Sequence, residues 1–224
     1  MSLVVQERPS DAPHVRTVMF GQAVASGITL RPASAHWHLV VVHHEGQSRA
    51  IVVGPLRSTG NASWSVGAEI LWIKFKLGVY LPHMPALELC DHERPLPNAS
   101  DKTFYLHGAA WQFPRFDNAD TFVRRLARSH VLLRDPVVSA ALYGRTQDYA
   151  PRTVRHHFHH TTGLSQRHIA QMERAQRAAS LLGQGVPILD VVEGEGYFDQ
   201  PHLTRWLRRW IGRTPGEILR RPVS

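Results

Sequence analysis

Arg152, Arg155 and His156 lie in one short basic stretch of this sequence; Gln200, His202, Thr204, Arg205 and Arg208 lie in another. A guanidinium presents a planar fork of donors that fits phosphate oxygens and the O6/N7 edge of guanine. Amide, hydroxyl and imidazole groups add hydrogen bonds to base edges or to phosphates. That chemistry is recognition of a polyanion. Catalysis has no comparable support, because no Gly-x-Ser-x-Gly, phosphate loop, dinucleotide fingerprint or His-Glu-x-x-His occurs. Asp190, Glu193 and Glu195 cluster, but in a helical context that suits a solvated face better than an acid/base pair. The expectation is a protein that is not an enzyme and needs no cofactor.

The two basic stretches must be positioned by helices, and the sequence states the same helix twice. Val154 and Phe158 are followed by Gly163 and Ser165; Leu203 and Leu207 are followed by Gly212 and Thr214, each 49 residues further on. Apolar residues four apart share one helix face. The glycine suits the left-handed position just past a helix end, and the hydroxyl residue suits the N-cap of the next helix. With Val154 and Phe158 inward, Arg152, Arg155, His156 and His159 face out. With Leu203, Leu207 and Trp210 inward, Gln200, His202, Thr204 and Arg205 lie near the N-terminal end of the second helix, and Trp206 is expected to pack against a neighbouring helix. Two short basic helices, joined by a helix of their own, suggest two helix-turn-helix units.

Within the second copy, Gly196-Tyr197-Phe198-Asp199-Gln200-Pro201-His202-Leu203-Thr204-Arg205, closed by Gly212-Arg213-Thr214-Pro215, resembles the signature of AraC-type transcription regulators. The likeness covers roughly residues 136–220. It implies a C-terminal double helix-turn-helix domain that binds double-stranded DNA, with base or backbone contacts at Arg152, Arg155, His156, Gln200, His202 and Arg205. Arg208, Arg209 and Arg213 are better placed for backbone contacts. Four positions depart from the family pattern: His156 stands where Arg is usual, Glu193 and Glu195 where small residues are usual, and Pro201 where Ser or Gln is usual.

Charge follows the same division. From residue 120 onward 16 Lys+Arg face 9 Asp+Glu, a balance of +7; before it 10 face 9, a balance of +1. Clustered cations on helices are the electrostatic footprint of a nucleic-acid partner. No apolar run approaches the roughly 20 residues of a membrane span, and the N-terminus lacks the features of a signal peptide. One cysteine, Cys90, cannot form an internal disulfide and reads as a small buried residue. A cytoplasmic, non-membrane protein is expected.

Along the chain, residues 1–14 read as a loose arm. From Val15 to about His107 the pattern is β-like: residues 36–43 and 50–53 are rich in β-branched side chains, and Leu71, Ile73, Phe75 and Leu77 alternate with Lys74 and Lys76. Residues 81–85 and 94–97, with their paired prolines, should break any strand. Helices come next: 119–131 capped by Asn118, then one opened by Asp135-Pro136 and stopped at Gly144, one from Pro151 to before Gly163, and a long one from Ser165 to about Leu182. That long helix spans about 25 Å at 1.5 Å per residue, a strut suited to successive major-groove faces. Asp199 caps the last recognition helix.

The fold class is therefore α+β: a β-rich domain, 1–116, a mostly antiparallel sheet or an open, cupin-like barrel, followed by an all-α DNA-binding domain, 117–224. The first domain is expected to sense a small-molecule effector, in an apolar pocket lined in part by Trp37 or Trp72, or to mediate a homodimer. The rival reading is a metal-binding cupin-like enzyme with a remnant helical half. His36-x-His38 followed by His43, His44 and Glu45 suggests it, but the spacing to Glu45 is long and no glycine precedes the pair where that type has one; no metal is expected.

Overall fold

The computed structural model describes residues 2–220. Thirteen strands precede or accompany eight helices among them. The strands are β1 (Leu3–Pro9), β2 (Val15–Ala23), β3 (Gly27–Arg31), β4 (His38–His44), β5 (Gln47–Val53), β6 (Gly60–Trp64), β7 (Glu69–Phe75), β8 (Val79–Tyr80), β9 (Glu93–Leu96), β10 (Asn98–Ser100), β11 (Thr103–Leu106), β12 (Ala109–Gln112) and β13 (Leu133–Arg134). The helices are α1 (Ala86–Leu89), α2 (Ala119–Arg128), α3 (Pro136–Leu142), α4 (Pro151–Thr162), α5 (Gln166–Gly183), α6 (Ile188–Gly194), α7 (Gln200–Trp210) and α8 (Pro215–Arg220).

The main sheet has the order β1-β2-β7-β4-β5-β9 and is open, with β1 and β9 at its edges. Its pairings are antiparallel, and period-2 alternation sends side chains to opposite faces. Leu39, Val41, Leu71, Ile73 and Phe75 enter the larger core, where Phe122, Val123 and Leu126 of α2 cover them. Val40, Ile70 and Trp72 point the other way, into a smaller cluster with Ala23 and Val53.

Several expectations need correction. Residues 3–9 are not a loose arm: they pair with β2 from Leu3↔Ala23 to Pro9↔Thr17. An edge strand needs only one partner and tolerates exposed side chains, so its polar sequence hid it; Pro9 stands at its end. Arg8 also anchors it, donating to Asp120 Oδ2 at 2.6 Å and to the Phe116 carbonyl at 2.8 Å. Pro95 likewise sits within β9, opposite Ile51 on the other edge. The β region runs past His107, since β11 and β12 pair from Thr103↔Gln112 to Leu106↔Ala109. Asn118 occupies the N-cap position of α2 but makes no side-chain cap; its Oδ1 accepts from Arg115 N at 2.8 Å instead. That helix also stops at Arg128, short of residue 131, because Val131 and Leu132 turn into the core.

The other helix boundaries obey local chemistry as the sequence implies. Asp135 Oδ1 accepts from Val138 N at 2.9 Å to cap α3, and Pro136 needs no donor at the first helical position. Ser165 caps α5 through His168 N, and Ile169, Met172, Ala175, Ala179 and Leu182 form its buried stripe. Thr214 and Glu217 form a reciprocal capping box at α8: Thr214 N donates to Glu217 Oε2 at 2.7 Å, and Glu217 N to Thr214 Oγ1 at 3.3 Å.

By contacts the chain divides into two compact units: Met1–Ile28, His36–Pro55 and Ser63–Leu164 in the first, and Thr29–Ala35, Leu56–Ala62 and Ser165–Ser224 in the second. In the first, α4 packs on α3, α1 and β8. In the second, α5 packs on α6, α7 and α8, and the short early segments join them. There Ala33 N donates to the Trp210 carbonyl at 2.7 Å and Gln176 Nε2 to the Ala33 carbonyl at 2.8 Å. No helix among the described residues is long and apolar enough to cross a membrane.

Candidate nucleic-acid interface

The helices expected to form the first helix-turn-helix pair are α3 and α4, and their packing depends on one carboxylate. Asp135 is buried; while Oδ1 caps α3, Oδ2 accepts from His157 Nδ1 on α4 at 2.6 Å. One residue thus fixes the start of α3 against the middle of α4. Val154 and Phe158 are buried beneath, and Arg152, Arg155, His156, His159 and His160 are exposed. Sequence reasoning had no access to the His157 contact, since nothing in a separation of 22 residues announces it.

The second pair is α6 and α7, held from below by α5. Arg174 lies over the Tyr197 ring, 4.6 Å from its centroid, and donates to the Gly196 carbonyl at 3.3 Å. Burial pushes the Tyr197 phenol above its ordinary range. Arg177 pairs with Glu195 at 3.2 Å, which gives a local reason for an acidic residue just before Gly196. Asp199 caps α7, accepting from His202 N at 2.6 Å. Pro201 falls in the first turn, where a missing N–H leaves no bond unmade.

Of the side chains singled out on α7, Gln200, Arg205 and Arg208 are exposed, and His202 and Thr204 are half-buried. His202 turns back on the turn: its Nδ1 accepts from Phe198 N at 3.2 Å, and its ring meets Tyr197 edge-on. Thr204 donates to the Gln200 carbonyl at 2.9 Å. Trp206 packs along its own helix, parallel to Trp210 with centroids 5.7 Å apart and Arg209 nearby, where a neighbouring helix was expected. Phe198, missed by the sequence reading, is 90% exposed beside the N-cap; an aromatic ring next to a polar cap was the available signal.

Trp37 and Trp72, the alternative pocket residues, lie on opposite faces of the sheet. Trp37 is buried, stacked on Phe75 at 3.8 Å, with Nε1 donating to the Val79 carbonyl at 2.7 Å. It lines a small cavity with Tyr80, Leu81, Met84 and Thr161, with room for about one water molecule. Trp72 is half-buried, its six-membered ring close over Gly21. The histidines weighed as metal ligands are dispersed. His36 Nδ1 donates to the Phe75 carbonyl at 2.7 Å, and Nε2 accepts from Arg16 at 2.9 Å; His43 bonds Ser48 and His44 bonds the Val66 carbonyl. Among the described residues no three His, Cys, Asp or Glu side chains are grouped to hold a metal ion.

Residues 145–221, about a third of the chain, match a family described as a helix-turn-helix domain. No curated protein matches the chain. A solved structure, a variant of apo ToxT from Vibrio cholerae strain SCE256, aligns over 98% of this chain and 97% of that one. The identity is 10% and the TM-score 0.32, a likeness too loose to assign either fold or function.

Proposed function

We propose that this protein is a sequence-specific, DNA-binding transcription regulator of the AraC type. The observation that carries the reading is the repeated unit inside the helix-turn-helix match: a buried apolar pair, a left-handed glycine, a hydroxyl cap and a further helix, stated twice at a separation of 49. Arg152, Arg155 and His156 on α4, and Gln200, Thr204, Arg205 and Arg208 on α7, are the proposed contacts to double-stranded DNA. His202 contributes through Nε2, since Nδ1 is occupied by the turn. Phe198 offers an apolar surface of the kind that meets a thymine methyl.

The β-rich half is proposed to carry the regulatory input, either a small-molecule effector or contact with a second copy of the chain. An effector entering where Trp37 stands must displace side chains, because the cavity there holds about one water. The half-buried face around Trp72 is the alternative entry.

The test is a salt titration of binding to duplex DNA. If the chain neutralises roughly six phosphates, log K falls against log salt with a slope near −5. A slope near zero would remove DNA binding from the reading.

A further inference from the structure

On α4, His156 and His160 stand one turn apart on the same exposed face, their rings nearly parallel at 10° with centroids 6.2 Å apart. Side chains at i and i+4 of a helix lie one above the other, so this juxtaposition is built into the helix and needs no loop to hold it. The neighbouring histidine, His157, is already committed to Asp135, and α4 carries no carboxylate of its own to pair with the two imidazoles. His160 meets only the edge of the Tyr80 ring, 5.5 Å away, and His156 the edge of His157.

Neutral imidazole nitrogen is a ligand for Zn2+ and Cu2+, and a poor one for Mg2+, which demands oxygen. Bonds of about 2.0–2.1 Å from one ion to each nitrogen require the two donor atoms to come within about 4 Å. Rings already parallel and one turn apart reach that by rotation about their side-chain torsions. We infer that His156 and His160 form a two-imidazole clamp for a divalent transition-metal ion of the Zn2+ or Cu2+ class, and that its occupancy competes with DNA for the exposed face of α4. Water completes the coordination. Arg152 and Arg155 on the same helix oppose a cation, so the affinity comes from chelation, with salt screening the repulsion. The competition rests on the DNA-binding reading above; the clamp does not.

The experiment is a calorimetric titration of ZnCl2 into the full chain, compared among wild type, His156→Gln, His160→Gln and His159→Gln. Removing either clamp ligand should weaken the tightest site by roughly a hundredfold, the scale on which joining two ligands raises avidity. His159→Gln, which breaks neither ligand, should leave it in place, and His160→Cys should restore it through a thiolate. Coincident isotherms for wild type and His160→Gln overturn the clamp. In parallel, Zn2+ should weaken binding of a random-sequence duplex by the wild type and leave His160→Gln unaffected; equal loss in both, or in neither, overturns the competition. A chain that binds no duplex even without Zn2+ overturns the DNA reading and the competition together, while the isotherms still decide the clamp.

Discussion

His36 shows how a residue that invited a metal reading takes a structural role. The Phe75 carbonyl can only accept, so Nδ1 carries the proton and Nε2 receives the Arg16 guanidinium. A second proton has no place to go. Burial first, then the charges of Lys74 and Arg16, push the imidazole from 6.5 down to about 3. Burial lowers His14 and His83 in the same direction, helped by neighbouring cations. Because the unfolded chain binds the proton near 6.5 and folded His36 only near 3, acid favours the unfolded state between those values. The stabilisation is complete above 6.5 and lost as pH falls, by about 2 kcal/mol on reaching pH 5. Urea melts between pH 5 and 7.5 should show this slope, and His36→Gln should flatten it; an unchanged slope in that variant assigns the pH dependence elsewhere. At the proposed DNA contacts, Arg205→Ala should weaken operator binding by ~1–3 kcal/mol if its fork reads a base. His156→Ala should cost less at pH 8, since a single imidazole donor replaces a bidentate fork. Titration of both variants at fixed salt decides it, and a larger loss for His156→Ala reverses the division between the two helices.

At the scale of elements, the two glycines of the repeat make the sharpest comparison. Gly163 has φ +69 and Gly212 φ +79, the left-handed region that costs other residues roughly 1–2 kcal/mol. Each also lacks room for a methyl group: a Cβ at Gly163 would strike Cys90 Sγ, and one at Gly212 would strike Leu30 Cδ2. Gly163→Ala and Gly212→Ala should therefore each destabilise by more than the backbone term alone, about 2 kcal/mol or more, measured by thermal melts of the full chain. A loss below 1 kcal/mol at either would mean the neighbour moves aside at little cost. Helix ends of this kind were legible in the sequence because caps act within a few residues: Asp135, Ser165, Asp199 and Thr214 all mark starts. β1 and β9 were not. An edge strand owes its existence to a partner far away in sequence, and Pro9 and Pro95 look like breakers until that partner is known. The exposed face of the proposed site was legible to the same extent, since exposure of Arg152 and Arg205 is set by helix periodicity. His202's bond to the turn and His157's bond to Asp135 are tertiary facts with no periodic signal.

For the whole molecule, the separability of residues 117–224 remains a proposal with a definite cost attached. Such a fragment lacks Thr29–Ala35 and Leu56–Ala62, and with them the two hydrogen bonds of Ala33 and the Leu30 contact at Gly212. Two ordinary hydrogen bonds contribute about 1–3 kcal/mol, and the cut also parts Phe122, Val123 and Leu126 from the sheet core and β13 from β8, so a fragment that folds and binds duplex DNA should melt well below the intact chain. If the fragment is unfolded where the full chain is stable, the division at 116/117 fails. The same discontinuity has a consequence for synthesis. The chain passes between its two compact units five times, at 28/29, 35/36, 55/56, 62/63 and 164/165. On the ribosome, Leu30 and Ala33 are made more than a hundred residues before Trp210 and Gly212, the partners they meet in the finished unit. The second unit can therefore assemble only once residues 210–212 have emerged, and the early segments must wait, unpaired with those partners, until then.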